Sequence, residues 1–88
     1  MRIEWNTGRG YSAEGQIITA ELLADHVAFY DRSRGISGSF DLPSLPILTE
    51  ADLKRFVMHN YDHNKMQKNG NGYAFFIQLS KEARGISQ

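Results

Sequence analysis

The sequence contains no cysteine among its 88 residues, which excludes disulfide bonds, thiolate metal sites and cysteine nucleophiles. It also lacks any apolar run near the roughly 20 residues that a membrane-spanning helix needs. A basic segment followed by an apolar core, typical of a secretory signal, is absent as well. The lack of disulfides in so small a domain fits a reducing compartment. The sequence therefore predicts a cytoplasmic protein that does not contact a membrane.

An excess of charge of either sign is also missing, because ten basic residues balance ten acidic ones. This excludes a strong basic field that would attract nucleic acid or anionic lipid, although it leaves room for a local basic patch. The hydrophobic share of 41% is low, but one Trp, four Tyr and five Phe add bulk. This composition predicts one small core of modest stability, which assembly into a homodimer would raise.

The segment from Thr49 to Met66 has the clearest helical pattern. Thr49 is a good N-cap, and Asp52 three residues later can complete a capping box. Leu48 and Leu53 have the spacing of a hydrophobic staple. Apolar side chains at helical spacing predict one buried stripe, formed by Leu53, Phe56, Val57 and Tyr61. The Asn- and Gly-rich residues 69–72 predict that the helix ends before them.

Alternating apolar and polar residues predict strands on both sides of this helix. The predicted strands cover residues 2–7, 27–31, 36–42 and 73–80. Residues 16–24 fit either a strand or a short helix, and the β-branched run from Ile17 to Thr19 favours the strand. The short turns between the first strands predict an antiparallel arrangement.

The predicted fold class is therefore α+β, an antiparallel β-meander with one long helix packed on it and a C-terminal strand. Residues 1–80 are expected to form a single domain, and residues 81–88 a polar C-terminal tail.

Two histidines, His59 and His63, lie four residues apart on the predicted helix, a spacing that lets both reach one metal ion. With Asp62 between them, they resemble the His-x-x-Glu-His spacing of the inverted zinc proteases. Aspartate is shorter than glutamate, however, no third ligand follows, and helical geometry turns both histidines toward solvent. The sequence thus predicts neither a metal nor another cofactor, and metal binding through His59 and His63 stays an alternative.

Three arginines lie in predicted turns, where a guanidinium group can donate two parallel hydrogen bonds to phosphate or carboxylate. Two tyrosines close to them in sequence could stack on bases. The candidate binding residues are Arg9, Tyr11, Tyr30, Arg32 and Arg34. A small nucleic-acid-binding protein that uses these loops is a second alternative, disfavoured by the balanced charge and the lack of a known nucleic-acid-binding motif.

A catalytic constellation is missing, so the sequence predicts a protein that is not an enzyme. No serine has nucleophile-elbow spacing. Residues 8–13 have the spacing of a loose dinucleotide-binding fingerprint, but a strand rather than a helix is predicted to follow. The aromatic residues exceed what one helix and a small sheet easily bury, which favours a protein interface. Those considered are Trp5, Tyr30, Tyr61 and Phe76.

Three stretches, Trp5–Tyr11, Glu14–Gln16 and Phe29–Ile36, resemble the short accessory proteins of bacteriophages and other bacterial mobile elements. The resemblance covers the first half of the chain and assigns no functional residue. It implies that the chain binds a host or phage macromolecule and alters its activity. The favoured hypothesis is thus a small non-enzymatic protein-interaction module, an accessory protein or inhibitor whose protein partner is not identified by the sequence.

Overall fold

A computed structural model describes residues 1–10, 13–63 and 72–83 of the chain. It shows strands β1 (Arg2–Asn6), β2 (Ile17–Leu22), β3 (His26–Asp31) and β4 (Ile36–Asp41), then helices α1 (Glu50–His63) and α2 (Gly72–Ala83). The four strands form one antiparallel sheet in the order β1-β2-β3-β4. The predicted meander is therefore confirmed, and so is the strand interpretation of the ambiguous second segment.

The strand register divides the side chains of the sheet between two faces. Helix α1 packs on the first face, and the core between them is made of Ile3, Ile18, Ala20, Val27, Phe29, Ile36, Leu53, Val57 and Tyr61. Helix α2 contacts β3 and β4. Its Phe76 ring lies 6.4 Å from that of Tyr30, which points away from the α1 face. The sheet is therefore covered by one helix on each face.

The N-terminus of α1 has the predicted capping box. The backbone N–H of Asp52 donates to Thr49 Oγ1 (3.1 Å), and the Asp52 carboxylate accepts from the N–H groups of Thr49 (3.0 Å) and Leu48 (3.1 Å). These hydrogen bonds lower the pKa of the Asp52 carboxyl below its ordinary value. Leu48 of the predicted hydrophobic staple, by contrast, is 74% exposed, so it adds little to the core.

The predicted C-terminal strand is wrong, since Gly72–Ala83 form helix α2. In residues 73–80, large apolar side chains occupy alternate positions, as in a strand. Ala74 and Phe76 between them are apolar too, and such a run suits a helix as well. Phe76 and Ser80, four residues apart, are buried, which is the spacing of one helical face. A further strand beside β4 would have left the second face of the sheet uncovered.

The ends of the predicted segments shift accordingly. Residues 81–83, assigned to the polar tail, belong to α2. The predicted end of the first helix, residues 64–66, and the rest of the tail, residues 84–88, lie outside the described residues.

Gly38 lies where the core leaves no room for a side chain. A Cβ atom at this position would lie 3.1 Å from Phe29 Cε1, and the Phe29 ring is itself stacked on Phe40 at 4.7 Å between centroids. We expect Gly38→Ala to lower the free energy of unfolding by about 1–3 kcal/mol, because overpacking forces side chains from their preferred rotamers.

Urea denaturation checks this expectation against Gly10→Ala, where an added Cβ would meet nothing within 4 Å. Equal stability of the two variants would contradict a close contact between Gly38 and Phe29.

Candidate binding surfaces

A polar cluster around the buried Asp31 carboxylate holds together one end of the sheet and the end of α1. Its residues are Gln16, Asp31, Ser33, Arg34 and Tyr61. Asp31 is 0% exposed, and its carboxylate accepts hydrogen bonds from Gln16 Nε2 (2.9 Å), Tyr61 OH (2.7 Å) and Ser33 Oγ (2.6 Å). Backbone N–H groups of Ser33 (3.0 Å) and Arg34 (3.3 Å) donate to the same carboxylate. The cluster thus joins the β1–β2 loop, the β3–β4 turn and α1.

Burial and the hydrogen bonds of this cluster shift the pKa values of the Asp31 carboxyl and the Tyr61 hydroxyl in opposite directions. Burial raises the pKa of the Asp31 carboxyl, but the hydrogen bonds from Ser33, Gln16, Tyr61 and the Arg34 backbone outweigh it and hold the pKa below its ordinary value. Burial, followed by the hydrogen bond to the Asp31 carboxylate, raises the pKa of the Tyr61 hydroxyl. At neutral pH the pair is therefore a buried carboxylate that accepts a hydrogen bond from a neutral phenol, an arrangement that stabilises the fold.

The three arginines of the predicted binding set are engaged within the protein. Arg9 makes a two-pronged ion pair with Asp62 (2.6 and 2.8 Å), and Arg32 donates to Glu14 (2.9 Å). Arg34 donates to the Tyr61 hydroxyl (3.1 Å). The structure thus gathers Arg9, Arg32 and Arg34 at one end of the sheet, where carboxylates compensate the charge of two of them.

Of the two tyrosines of that set, Tyr30 does not join the arginines. Tyr30 lies on the opposite face of the sheet, where its ring meets Tyr73 of α2 edge-on at 5.6 Å. Tyr11 lies outside the described residues. Trp5, another aromatic residue considered for an interface, is half-buried beneath the Lys54 ammonium group, 5.9 Å from the ring, while Tyr61 and Phe76 are buried.

His59 of α1 does not form a metal centre with other described residues. His59 is exposed, as its helical position predicts, and the side chain of His63 is not described. Within the described ranges, no three His, Asp or Glu side chains lie close enough to hold a metal ion.

An apolar groove lies at the other end of the sheet and was not predicted from the sequence. It has a volume of about 260 Å³ and is lined by Leu22, Leu23, Leu42, Pro43, Leu45, Pro46 and Ile47. Leu45 and Leu42 are 77% and 41% exposed. Two prolines restrict the backbone of this connection, which reduces the entropy that binding would cost. The sequence shows only the apolar residues at positions 42, 45, 47 and 48 around the two prolines.

An acidic cleft lies beside the C-terminal part of α2. It has a volume of about 370 Å³ and is lined by Asp25, His26, Ser39, Asp41, Leu79 and Glu82. His26 Nδ1 lies 2.9 Å from Asp25 Oδ1. His26 Nε2 is buried and has no hydrogen-bond partner among the described residues. Among the described residues, the lining of this cleft thus holds three carboxylates and no lysine or arginine.

Comparison with known proteins identifies no relative, since no protein-family model, curated protein or solved structure matches the chain. No helix among residues 1–10, 13–63 and 72–83 is long and apolar enough to cross a membrane.

Proposed function

We propose that the protein is a small non-enzymatic interaction module that binds a protein partner through the apolar groove. The observation that carries the proposal is the exposure of Leu42 and Leu45 at 41% and 77% around a concave apolar surface. Exposed apolar patches of this kind mark interaction sites on soluble proteins, and the prolines hold the surface in shape before binding. The resemblance to accessory proteins of bacteriophages and mobile elements supports a bacterial macromolecule as the partner.

The contacts of the described arginines and of His59 favour protein binding over nucleic-acid binding and metal binding. A nucleic-acid-binding loop needs arginines that are available to phosphate, whereas Arg9 and Arg32 each donate to a carboxylate of this chain. A metal-binding function would need further ligands near His59, and the described residues do not provide them.

The test is capture of a partner by the immobilised protein from nuclease-treated lysate of the source organism. We expect Leu42→Ser combined with Leu45→Ser to reduce capture at least about tenfold, because apolar anchors at the centre of an interface contribute about 2 kcal/mol or more each. Both side chains are partly exposed already, so the double variant should retain its thermal midpoint within a few degrees.

Phe75→Ser is the matched control, because Phe75 is 40% exposed, close to the 41% of Leu42, but lies on α2 away from the groove. It should capture the same partner as the unmodified protein. Undiminished capture by the groove variant, or equal losses in the groove variant and the control, would refute the groove as the binding surface.

A further inference from the structure

The apolar groove and the acidic cleft share one end of the sheet. Leu23 in the groove and Asp25 in the cleft are separated by one residue of the β2–β3 turn, and Asp41 directly precedes Leu42 at the end of β4. Because successive side chains of a strand point to opposite faces, Asp41 lies on the α2 face. The groove, with Leu22 and Ile47 packed against the core, opens on the α1 face. The two surfaces are therefore separated by the thickness of the sheet end.

The cleft is complementary to a cation by charge and by hydrogen bonding. Asp25, Asp41 and Glu82 bring three carboxylates, and Lys81, the neighbour of Glu82 in the chain, is not part of the lining. His26 Nδ1 lies 2.9 Å from Asp25 Oδ1, so its Nε2 is the ring nitrogen that remains for a further partner. That nitrogen is buried and finds no partner in the described chain, a costly arrangement unless a ligand supplies one. Lysine and arginine side chains carry only donors.

We infer that the partner binds as one extended segment that crosses this end of the sheet, with an apolar side chain in the groove and a lysine or arginine in the cleft. This inference rests on the proposed function and adds the chemistry of the partner. Packed layers lie about 10 Å apart, and an extended chain advances about 3.3 Å per residue. The cationic residue is therefore expected about three to five residues from the apolar anchor.

A random dodecapeptide library, selected on the immobilised full-length chain, tests this inference. We expect the selected peptides to be enriched in a Leu, Ile, Met or Phe that is followed or preceded, about three to five residues away, by Lys or Arg. Their binding, measured by fluorescence polarisation of labelled peptides, should weaken at least about tenfold in the Leu42→Ser, Leu45→Ser variant.

Variants that remove charge from the cleft test its role in peptide binding separately from that of the groove. Asp41→Asn combined with Glu82→Gln should weaken the selected peptides about tenfold and make their affinity less dependent on salt, because two interfacial charges are removed. Glu50→Gln is the control, since Glu50 is exposed and does not line the cleft; it should change affinity less than about twofold.

The outcomes distinguish this inference from the proposed function. The selected peptides could bind the groove but lack a basic residue, or their affinities could be unchanged in the cleft variants. Either result would overturn the inference of a cationic side chain in the cleft and would leave the groove as a binding surface. Absence of any groove-dependent peptide would overturn both. A concentration-dependent dimer, seen by sedimentation and abolished by the groove variant, would identify a second copy as the occupant and also overturn the inference.

Discussion

Replacing Asp31 with alanine is expected to lower the free energy of unfolding by about 3–5 kcal/mol, the range observed when one partner of a buried charged network is removed. The carboxylate is 0% exposed and accepts five hydrogen bonds from Gln16, Ser33, Arg34 and Tyr61. Its removal leaves the two buried donors, Gln16 Nε2 and Tyr61 OH, without their acceptor, and each such donor costs about 1–3 kcal/mol. Urea denaturation followed by tryptophan fluorescence measures the loss.

Tyr61→Phe provides the graded control and a variant that should still fold. It removes the hydrogen bond to Asp31 and the part-buried one that the Tyr61 hydroxyl accepts from Arg34. It keeps the ring packed edge-on against Phe29, 5.9 Å away, so a loss of about 1–2 kcal/mol is expected. If Asp31→Ala were no less stable than Tyr61→Phe, the cluster would not stabilise the fold as a unit.

The same carboxylate makes stability depend on pH. Because the pKa of Asp31 is lowered in the folded protein, the unfolded state binds the proton more readily. The stability that the Asp31 carboxylate contributes is therefore fully present above the ordinary pKa of about 4. It is lost as pH falls through the lower pKa of the folded protein. We expect the stability difference between the unmodified protein and Asp31→Asn to narrow below about pH 4. A difference that stays constant down to acid pH would show that the ionised form of Asp31 is not preferred in the fold.

Replacing Phe76 with alanine is expected to lower the free energy of unfolding by about 3–5 kcal/mol, as for other fully buried aromatic residues. Phe76 is 0% exposed and attaches α2 to the sheet. Its ring lies near Tyr30, 6.4 Å away, and under the Arg2 guanidinium, 5.5 Å away. Within residues 73–82 of this helix, Ser80 is the one other buried residue, so α2 has few buried apolar side chains that could fill the cavity. Urea denaturation measures the loss.

Phe75→Ala is the matched control, with the same side chain one position earlier. Phe75 is 40% exposed, and truncation there should cost less than about 1 kcal/mol. If Phe76→Ala only detaches α2, amide hydrogen exchange will accelerate in residues 72–83 while α1 stays protected. The predicted strand put Phe75 on the face shared with Tyr73, Ile77 and Leu79. A larger loss for Phe75→Ala than for Phe76→Ala would therefore contradict the helix.

The sequence by itself determined the elements whose local pattern favours one structure over the other. Four segments with apolar residues on alternate positions and short turns between them form the meander, because consecutive strands pair most readily with their neighbours. Thr49 and Asp52 mark the start of α1 through contacts within a single turn. Of its predicted stripe, Leu53, Val57 and Tyr61 are buried as the helical period requires, and Phe56 is partly buried against the core. In each case the decisive interactions are local in the chain.

The tertiary structure alone decided the rest, because the decisive contacts join distant residues. The apolar pattern of residues 72–83 suits either a strand or a helix. The helix is favoured because it covers the second face of the sheet, which a further strand would leave uncovered. Turn arginines look available in the sequence, yet Arg9 meets a carboxylate 53 positions away. The apolar groove exists because the ends of β2 and β4 bring leucines beside a proline-containing connection, and no sequence period reports that proximity.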